Sequence, residues 1–315
     1  MSSPFALFNI AVHVTAYRDE AAVARVLSAI QAQTCAPTVI RLVDNSPAPL
    51  VLPLPPAHAP ARIEYQHLPA NVGTAGAINQ SLTWGIGGGI DYLWILDQDS
   101  EPTDNLLAGL VDDHQRLLTT TALPVGIVAP LTRNRDDGKP NQPLRFDRYR
   151  SRSVDYAAEP VTCDFLPASG MLLHLPSLRR IKLPADAYFL DVYDFALGLA
   201  VKAAGATVWM VPTRELSHQV GRKVTLIKKG RPQVFADMPA YRVHLLQRNS
   251  TYLYTRTASG VNKYIAAWWQ GRRAGLQAWR FVYYGFDQRW SKAAAVLNGW
   301  WQGLFGLQVF RADNE

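Results

Sequence analysis

Short apolar runs alternate with longer stretches of helical period over the first two thirds of the chain. Residues 8–14 read as a strand, being short, apolar and bounded by polar positions. Residues 20–33 place Val23, Val26, Leu27 and Ile30 on one face of a helix. Strands follow over 38–43 and 63–68, then a helix over 75–84 entered through Asn71-Val72-Gly73-Thr74. Gly87-Gly88-Gly89 breaks the chain before Tyr-Leu-Trp-Ile-Leu, residues 92–96, which read as a strand buried on both faces. The pattern then predicts a helix over 105–118, strands over 125–130, 170–175 and 207–211, and a helix ended by Gly205. The polar stretch 133–159, rich in Arg and Asp, reads as a mobile loop or an acceptor-side insertion. Strands alternating with helices predict an α/β fold, a Rossmann-like, mostly parallel sheet with helices on both faces. Such sheets bind ligands at the carboxyl ends of their strands. Thr15-Ala16-Tyr17, Asp44-Asn45, Asn71-Val72-Gly73 and Asp97-Gln98-Asp99 each follow a strand or enter a helix. They are therefore expected to gather on one edge of the sheet.

The chemistry at that edge is acidic. Asp97 and Asp99 repel each other unless a cation or a hydrogen-bond network holds them. As hard oxygen ligands they suit Mg²⁺ or Mn²⁺ beside a diphosphate, and His218 adds a nitrogen donor, better matched to Mn²⁺. Asp191 and Asp194, three apart at the start of a helix, share a face, and Asp194 suits a general base. The structural alternatives are a turn at Asp44, a helix N-cap at Asp191 and a core histidine at His218. No Gly-x-x-x-x-Gly-Lys-Ser/Thr occurs, and no Gly-x-Gly-x-x-Gly follows the first strand, which argues against a P-loop hydrolase or a Rossmann dehydrogenase.

Charge changes the picture for the C-terminal part. Residues 1–220 hold 17 Lys/Arg against 21 Asp/Glu, while residues 221–315 hold 15 against 4, a net of +11. Six of the nine tryptophans also lie in that tail. Two domains are expected: residues 1–220 for binding and chemistry, and residues 221–315 as a basic, Trp-rich, mostly helical extension. The extension would contact a membrane surface, an acceptor or another subunit; no nucleic-acid motif accompanies its charge. Its stretch Tyr264–Phe286 reads as an amphipathic helix in a membrane interface or as a packed extension. The N-terminus lacks a basic n-region, so no secretory leader is expected. Two cysteines, Cys35 and Cys163, make no disulfide framework, and both are expected to be buried thiols in the cytoplasm.

In order, these pieces resemble glycosyltransferase family 2 with the GT-A fold, and within it the bacterial rhamnosyltransferases of surface polysaccharide synthesis. The residues that carry the resemblance are "VHVTAYRDE", "RLVDNSP", "NVGTAGAINQSL", "LWILDQDS", "ASGMLLH", "YFLDVYDFALGLAVKAAG" and "LSHQVG", between Ile10 and Gly221. The resemblance implies an inverting, metal-dependent glycosyltransferase, with L-rhamnose from dTDP-L-rhamnose as the sugar and a saccharide hydroxyl as acceptor. Thr15, Ala16 and Tyr17 would line the base and ribose pocket, and Asp44 would meet the pyrimidine edge. Asn71 and Gly73 would lie along the nucleotide or sugar. Asp97 would face the ribose or metal, Asp99 would ligate the metal, and His218 would complete that site. Asp194 falls at the family's base, with Asp191 in support or in its place. Arg248, in Gln247-Arg248-Asn249, would reach the diphosphate.

The sequence departs from the family where Leu197-Gly198-Leu199 replaces Cys-Leu-Arg and where no acidic residue flanks Asp194. The acceptor implied is polyprenyl-diphosphate-linked, which places the enzyme in the cytoplasm, peripheral on the inner membrane face, with a homo-oligomer as a further expectation. The alternatives are another donor such as UDP-galactofuranose or UDP-glucose, a nucleotidyltransferase, and a non-catalytic sugar- or lipid-binding scaffold.

Overall fold

The computed structural model describes residues 8–52, 59–218 and 222–308. The first residues, where a leader would stand, residues 53–58 and the Gln-Val-Gly after His218 fall outside them.

Strand β1 (Ile10–Ala16) lies at the centre of one half of an eight-stranded sheet. Beside it run β2 (Val39–Asp44) and β3 (Arg62–His67) on one side and β4 (Tyr92–Asp97) on the other, all parallel. Beyond β4 come β9 (Leu172–His174), β5 (Val125–Asn134), β10 (Thr207–His218) and β8 (Val161–Cys163). β9 is antiparallel to both of its neighbours, β10 is parallel to β5, and β8 is antiparallel to β10. The sheet is thus mostly parallel, as its alternating pattern predicts. Chain order reverses direction at β1, which has β2 on one side and β4 on the other. The carboxyl ends of β1 and β4 therefore frame the crevice where such sheets take ligands.

Two apolar clusters cover the two faces. One packs α1 (Glu20–Gln31) and α3 (Leu106–Thr120) against Val12, Val14, Trp94 and Leu96. The other packs α2 (Gly73–Gly87) and α4 (Tyr193–Ala203) against Leu93, Ile95, Ile127 and Leu173. Tyr92 through Leu96 are all buried, which is why this strand reads as one unbroken apolar run. Asp19 caps α1, its Oδ1 accepting from Ala22 N at 2.9 Å. After α4, Gly205 takes φ +85°, the left-handed turn that ends the helix as expected.

The stretch 133–159 is more ordered than its polarity suggests. β5 continues to Asn134, and β6 (Leu144–Asp147) pairs with β7 (Arg150–Ser153) in a hairpin. α5 (Ala240–Thr257) holds that hairpin, Tyr254 Oη donating to Ser151 Oγ at 2.7 Å. The polar side chains mark one solvated face of a packed element.

After β10 comes a second hairpin, β11 (Arg222–Lys228) and β12 (Arg231–Asp237), then α5, α6 (Asn262–Tyr284) and α7 (Arg289–Phe305). Val243, Ala274, Phe281 and Val296 form a separate cluster among these elements. No helix among the described residues is long and apolar enough to cross a membrane.

Candidate active site

The Asp-Gln-Asp-Ser turn that ends β4 is stitched to its neighbours on both sides. Gln98 Oε1 accepts from Tyr17 N at 2.7 Å and Gln98 Nε2 donates to Tyr17 O at 3.2 Å, tying β4 to the end of β1. Glu101 N donates to Ser217 O at 3.2 Å, tying the same turn to β10. That second tie brings His218, the last residue of β10, against the two carboxylates. His218 Nδ1 lies 3.3 Å from Asp99 Oδ1, and His218 Nε2 lies 3.7 Å from Asp97 Oδ2.

Ligand atoms of Asp97, Asp99 and His218 all lie within 4.8 Å of one another. His218 Nδ1 is buried without a well-aligned hydrogen-bond partner, an orphaned donor or acceptor that proteins rarely leave unexplained. Two hard carboxylates and one imidazole are a donor set that fits Mn²⁺ or Mg²⁺. Burial raises the Asp97 carboxyl above its ordinary range, with His218 opposing. At Asp99 burial also works upward, but the contact with His218 outweighs it and the net shift is down. Burial alone would lower His218, yet Asp99 and Asp97 together hold it above its usual value. The three groups are thus coupled through charge.

These residues form one wall of a cleft of about 470 Å³, with Thr15, Tyr17, Thr74 and Ser169 beside them. The size suits a small ligand. Asp191, Tyr193, Asp194 and Arg242 form another part of the lining. Asp194 heads α4, where its Oδ1 accepts from Phe195 N at 2.9 Å. Burial first, and then the charges of Asp191 and Asp97, push the Asp194 carboxyl up to about 7 despite that bond. A carboxylate poised there suits proton abstraction near neutrality.

Asp191 does not share a helix face with Asp194. α4 begins only at Tyr193, after Val192 in the left-handed region at φ +72°, so Asp191 stands in the preceding loop and caps nothing. Its carboxylate instead takes Arg242 of α5, with Nη2 donating to Oδ1 at 3.0 Å and Nε to Oδ2 at 3.1 Å.

The structure therefore brings Thr15, Tyr17, Asp97, Asp99, Asp191, Asp194 and His218 to one cleft. It does not bring the other expected residues there. Asp44 is fully buried and accepts from Ser46 N, Leu50 N and Tyr65 Oη, so its carboxylate holds the loop that follows β2. Ala16 is buried at the end of β1. Asn71 Oδ1 accepts from Gly73 N at 2.8 Å, an Asx turn into α2. Gly73 sits at φ +69° with the Phe189 carbonyl where a Cβ would stand, which is why no larger residue fits. Arg248 is buried in α5, donates to the Ala187, Gln308 and Asn249 oxygens, and does not line this cleft.

Arg242 is the residue that sequence reasoning missed. It lies seven before Asn249, two turns along the same face of α5 that the Gln247-Arg248-Asn249 reading singled out. His13 was also unremarked. It is fully buried, its Nε2 is 2.8 Å from Thr15 Oγ1 and its Nδ1 is 2.7 Å from Ser81 Oγ. Burial, with the Arg41 charge, drops it to about 3, so it is a neutral strut that orients Thr15.

Residues 11–166 match the family described as Glycosyl transferase family 2. No curated protein matches. Among solved structures, S. aureus TarS 1–349 in complex with UDP-GlcNAc is similar at 10% identity and TM-score 0.52, over 94% of this chain and 81% of that one. A further structure of S. aureus TarS 1–349 gives 12% identity and TM-score 0.50 over the same shares, 94% and 81%. Against a longer S. aureus TarS structure the identity is 12% and the TM-score 0.47, over 79% of this chain and only 39% of that one.

Proposed function

We propose, from the premise that residues 11–166 form a glycosyl transferase family 2 domain, that this protein is an inverting, metal-dependent glycosyltransferase. Its proposed donor is dTDP-L-rhamnose and its proposed acceptor a saccharide hydroxyl, on a polyprenyl diphosphate at the cytoplasmic face of a membrane. The observation that carries the reading is the cleft itself: Asp97, Asp99 and His218 on one side and Asp194 on another, at the carboxyl ends of β1 and β4. Residues 1–220 are assigned donor binding and chemistry, and residues 221–315 are assigned the role of an extension that lends Arg242 to the cleft.

In this reading Asp194 removes the proton from the acceptor hydroxyl as that oxygen attacks the anomeric carbon. Its raised pKa fits a base that works near neutral pH. Thr15, held by His13, and Tyr17, held by Gln98, shape the nucleotide side of the cleft. Arg242, firmly charged through its pair with Asp191, adds a fixed positive field near Asp97. Asp97, Asp99 and His218 would hold a divalent cation, which would supply Lewis-acid neutralisation of the departing diphosphate. The TarS fold, solved with UDP-GlcNAc, is consistent with a nucleotide-sugar donor, and uridine donors such as UDP-galactofuranose and UDP-glucose belong in the same test.

Nucleoside diphosphate release is to be measured over a panel of nucleotide-sugars and acceptors, with Mg²⁺, Mn²⁺ or EDTA. Release from dTDP-L-rhamnose is expected, abolished by EDTA and by Asp99→Asn. Asp194→Asn is expected to cost about a hundredfold or more in kcat. Release from a different donor would keep the chemistry and overturn the sugar. A full complement of variants with wild-type rates would sink the site.

A further inference from the structure

α6 and α7 lie side by side over α5, and both turn an apolar face outward. Gly299 and Gly303 of α7 press on α5, where a Cβ would meet the His244 and Arg248 carbonyl oxygens. Trp300 reaches sideways to α6, its Nε1 donating to Ala267 O at 3.1 Å. The face of α7 opposite those glycines carries Trp290, Ala294, Leu297, Trp301 and Phe305. Their spacing of four, three, four and four makes one stripe along the helix. It is exposed throughout: Trp290 66%, Trp301 56% and Phe305 69%. α6 repeats the arrangement. It buries Ala266, Gln270, Ala274, Ala278 and Phe281 and leaves Tyr264, Trp268, Leu276 and Trp279 outside.

Contiguous exposed apolar stripes of this size mark a contact surface rather than ordinary solvent-facing positions. The composition says what kind. The aromatic residues are mainly Trp and Tyr, which favour the boundary between water and lipid. Cations lie among and beside them. Arg272 falls within the α6 stripe by helical position, and Arg280 flanks it. The turn of the β11–β12 hairpin adds Lys228, Lys229 and Arg231, and Lys228 Nζ sits 4.5 Å above the Tyr283 ring at the end of the same stripe. Exposed Ile227, at 73%, sits beside those cations. The whole segment 221–315 has a net charge of +11. A second copy of the chain meeting this face through the same surface would bring like charges together, whereas an anionic bilayer would neutralise them.

We propose that the outer face of α6 and α7, with the tip of the β11–β12 hairpin, is a docking surface for an anionic lipid bilayer. The helices lie flat on the headgroups, Trp268, Trp279, Trp290 and Trp301 enter the interface, and the cations meet lipid phosphates. None of this depends on the reaction proposed above, and neither does its test.

The full chain is to be sedimented with vesicles of phosphatidylcholine mixed with phosphatidylglycerol and with vesicles of phosphatidylcholine alone, at low and high salt. Light scattering reports oligomeric state and thermal melting reports folding. Two variants separate the contributions: Trp290→Ser with Trp301→Ser, and Lys229→Glu with Arg272→Glu. Wild type is expected to prefer the anionic vesicles by roughly tenfold or more, falling with salt. The charge variant is expected to lose about fivefold per cation removed. The tryptophan variant is expected to lose roughly tenfold on both compositions while its melt is unchanged. Equal or absent binding to the two compositions would overturn the proposal. So would a stable oligomer that the tryptophan variant dissociates, because a second copy would then cover the stripe.

Discussion

At the scale of single residues, Asp194 is the group whose environment does most to set its behaviour. Burial and the neighbouring charges of Asp191 and Asp97 raise its carboxyl to about 7. A base must be ionised, so the transfer rate should fall as pH drops below that value. Asp191→Asn removes one of the like charges and frees the Arg242 cation, and both changes favour the ionised form of Asp194. The low-pH limb of the rate profile should therefore move to lower pH in Asp191→Asn, as measured by kcat against pH. A limb that stays in place would mean that another group sets it. The same shift carries a stability cost with a definite sign. The folded state holds the Asp194 proton up to about 7, while the unfolded chain releases it near the ordinary value of 3.8. Stability contributed by the protonated form is therefore complete below the unfolded value and is lost as pH rises through the folded one. Asp194→Asn cannot ionise, so its melting temperature should match wild type in acid, exceed it increasingly from 3.8 up to about 7, and keep a constant margin above that. At its largest the gain should be about 1–3 kcal/mol, less than the full shift implies because the cleft admits water. Activity would fall in the same variant, the trade expected of a residue held for chemistry rather than for folding.

At the scale of elements, the loop before α4 depends on α5. Two residues of that loop, Phe189 and Val192, have positive φ at 64° and 72°, conformations that cost free energy in a non-glycine residue unless neighbours impose them. α5 imposes them. Asn249 Nδ2 donates to Tyr188 O and to Asp191 O, each at 2.7 Å, and Arg248 Nη2 donates to Ala187 O at 2.6 Å. Asn249→Ala would take the side-chain donor from both carbonyls; Tyr188 O keeps Leu190 N, at 2.8 Å, while Asp191 O loses the Asn249 bond, a loss of about 1–3 kcal/mol in thermal or chemical unfolding. Since the loop carries Asp191 and leads into Asp194, kcat should fall further than KM rises. An unchanged kcat in a destabilised protein would show that the loop does not position the base.

This element also shows where the chain's pattern is legible and where it is not. The strands and helices of the sheet follow from periodicity, because each buries one face or both against its neighbours. Asp97, Asp99, Asp194 and His218 are readable because they stand at strand and helix ends, which the parallel topology collects. Asp44 and Asn71 stand at such ends too, yet their side chains bond their own loops. A polar residue at a strand end reads alike whether it faces ligand or backbone. Arg242 and Arg248 lie on one helix six residues apart, and only the packing of α5 decides which reaches the cleft. Gly198 has the same lesson. It replaces the longer side chain expected there because a Cβ would run into the Asp164 carbonyl oxygen, a close approach between segments far apart in sequence.

At the scale of the whole molecule, the match to glycosyl transferase family 2 ends at residue 166, but the packing does not. Leu253 of α5 belongs to the same apolar cluster as Ile127, Leu173 and Leu197 of the sheet and α4. Arg242 completes the cleft, and Tyr254 holds the β6–β7 hairpin. The basic extension is thus fastened to the rest of the chain by buried apolar contact and by donors to loop carbonyls. A chain ending at residue 238 would lose all three ties at once. It would expose the apolar surface that Leu253 covers in that cluster, leave the carbonyls of Ala187, Tyr188 and Asp191 without their side-chain donors, and take the counter-ion from Asp191. Such a truncation is expected to be insoluble, or to melt well below the full chain, and to release no nucleoside diphosphate under conditions where the full chain does. If it instead folded with the melting temperature of the full chain and still bound donor by calorimetry, the extension would be an appendage. Its role would then be confined to the outer surface of α6 and α7. Loss of folding together with loss of donor binding would mean that the helices facing outward and the residues facing the cleft are held in place by one helix, α5.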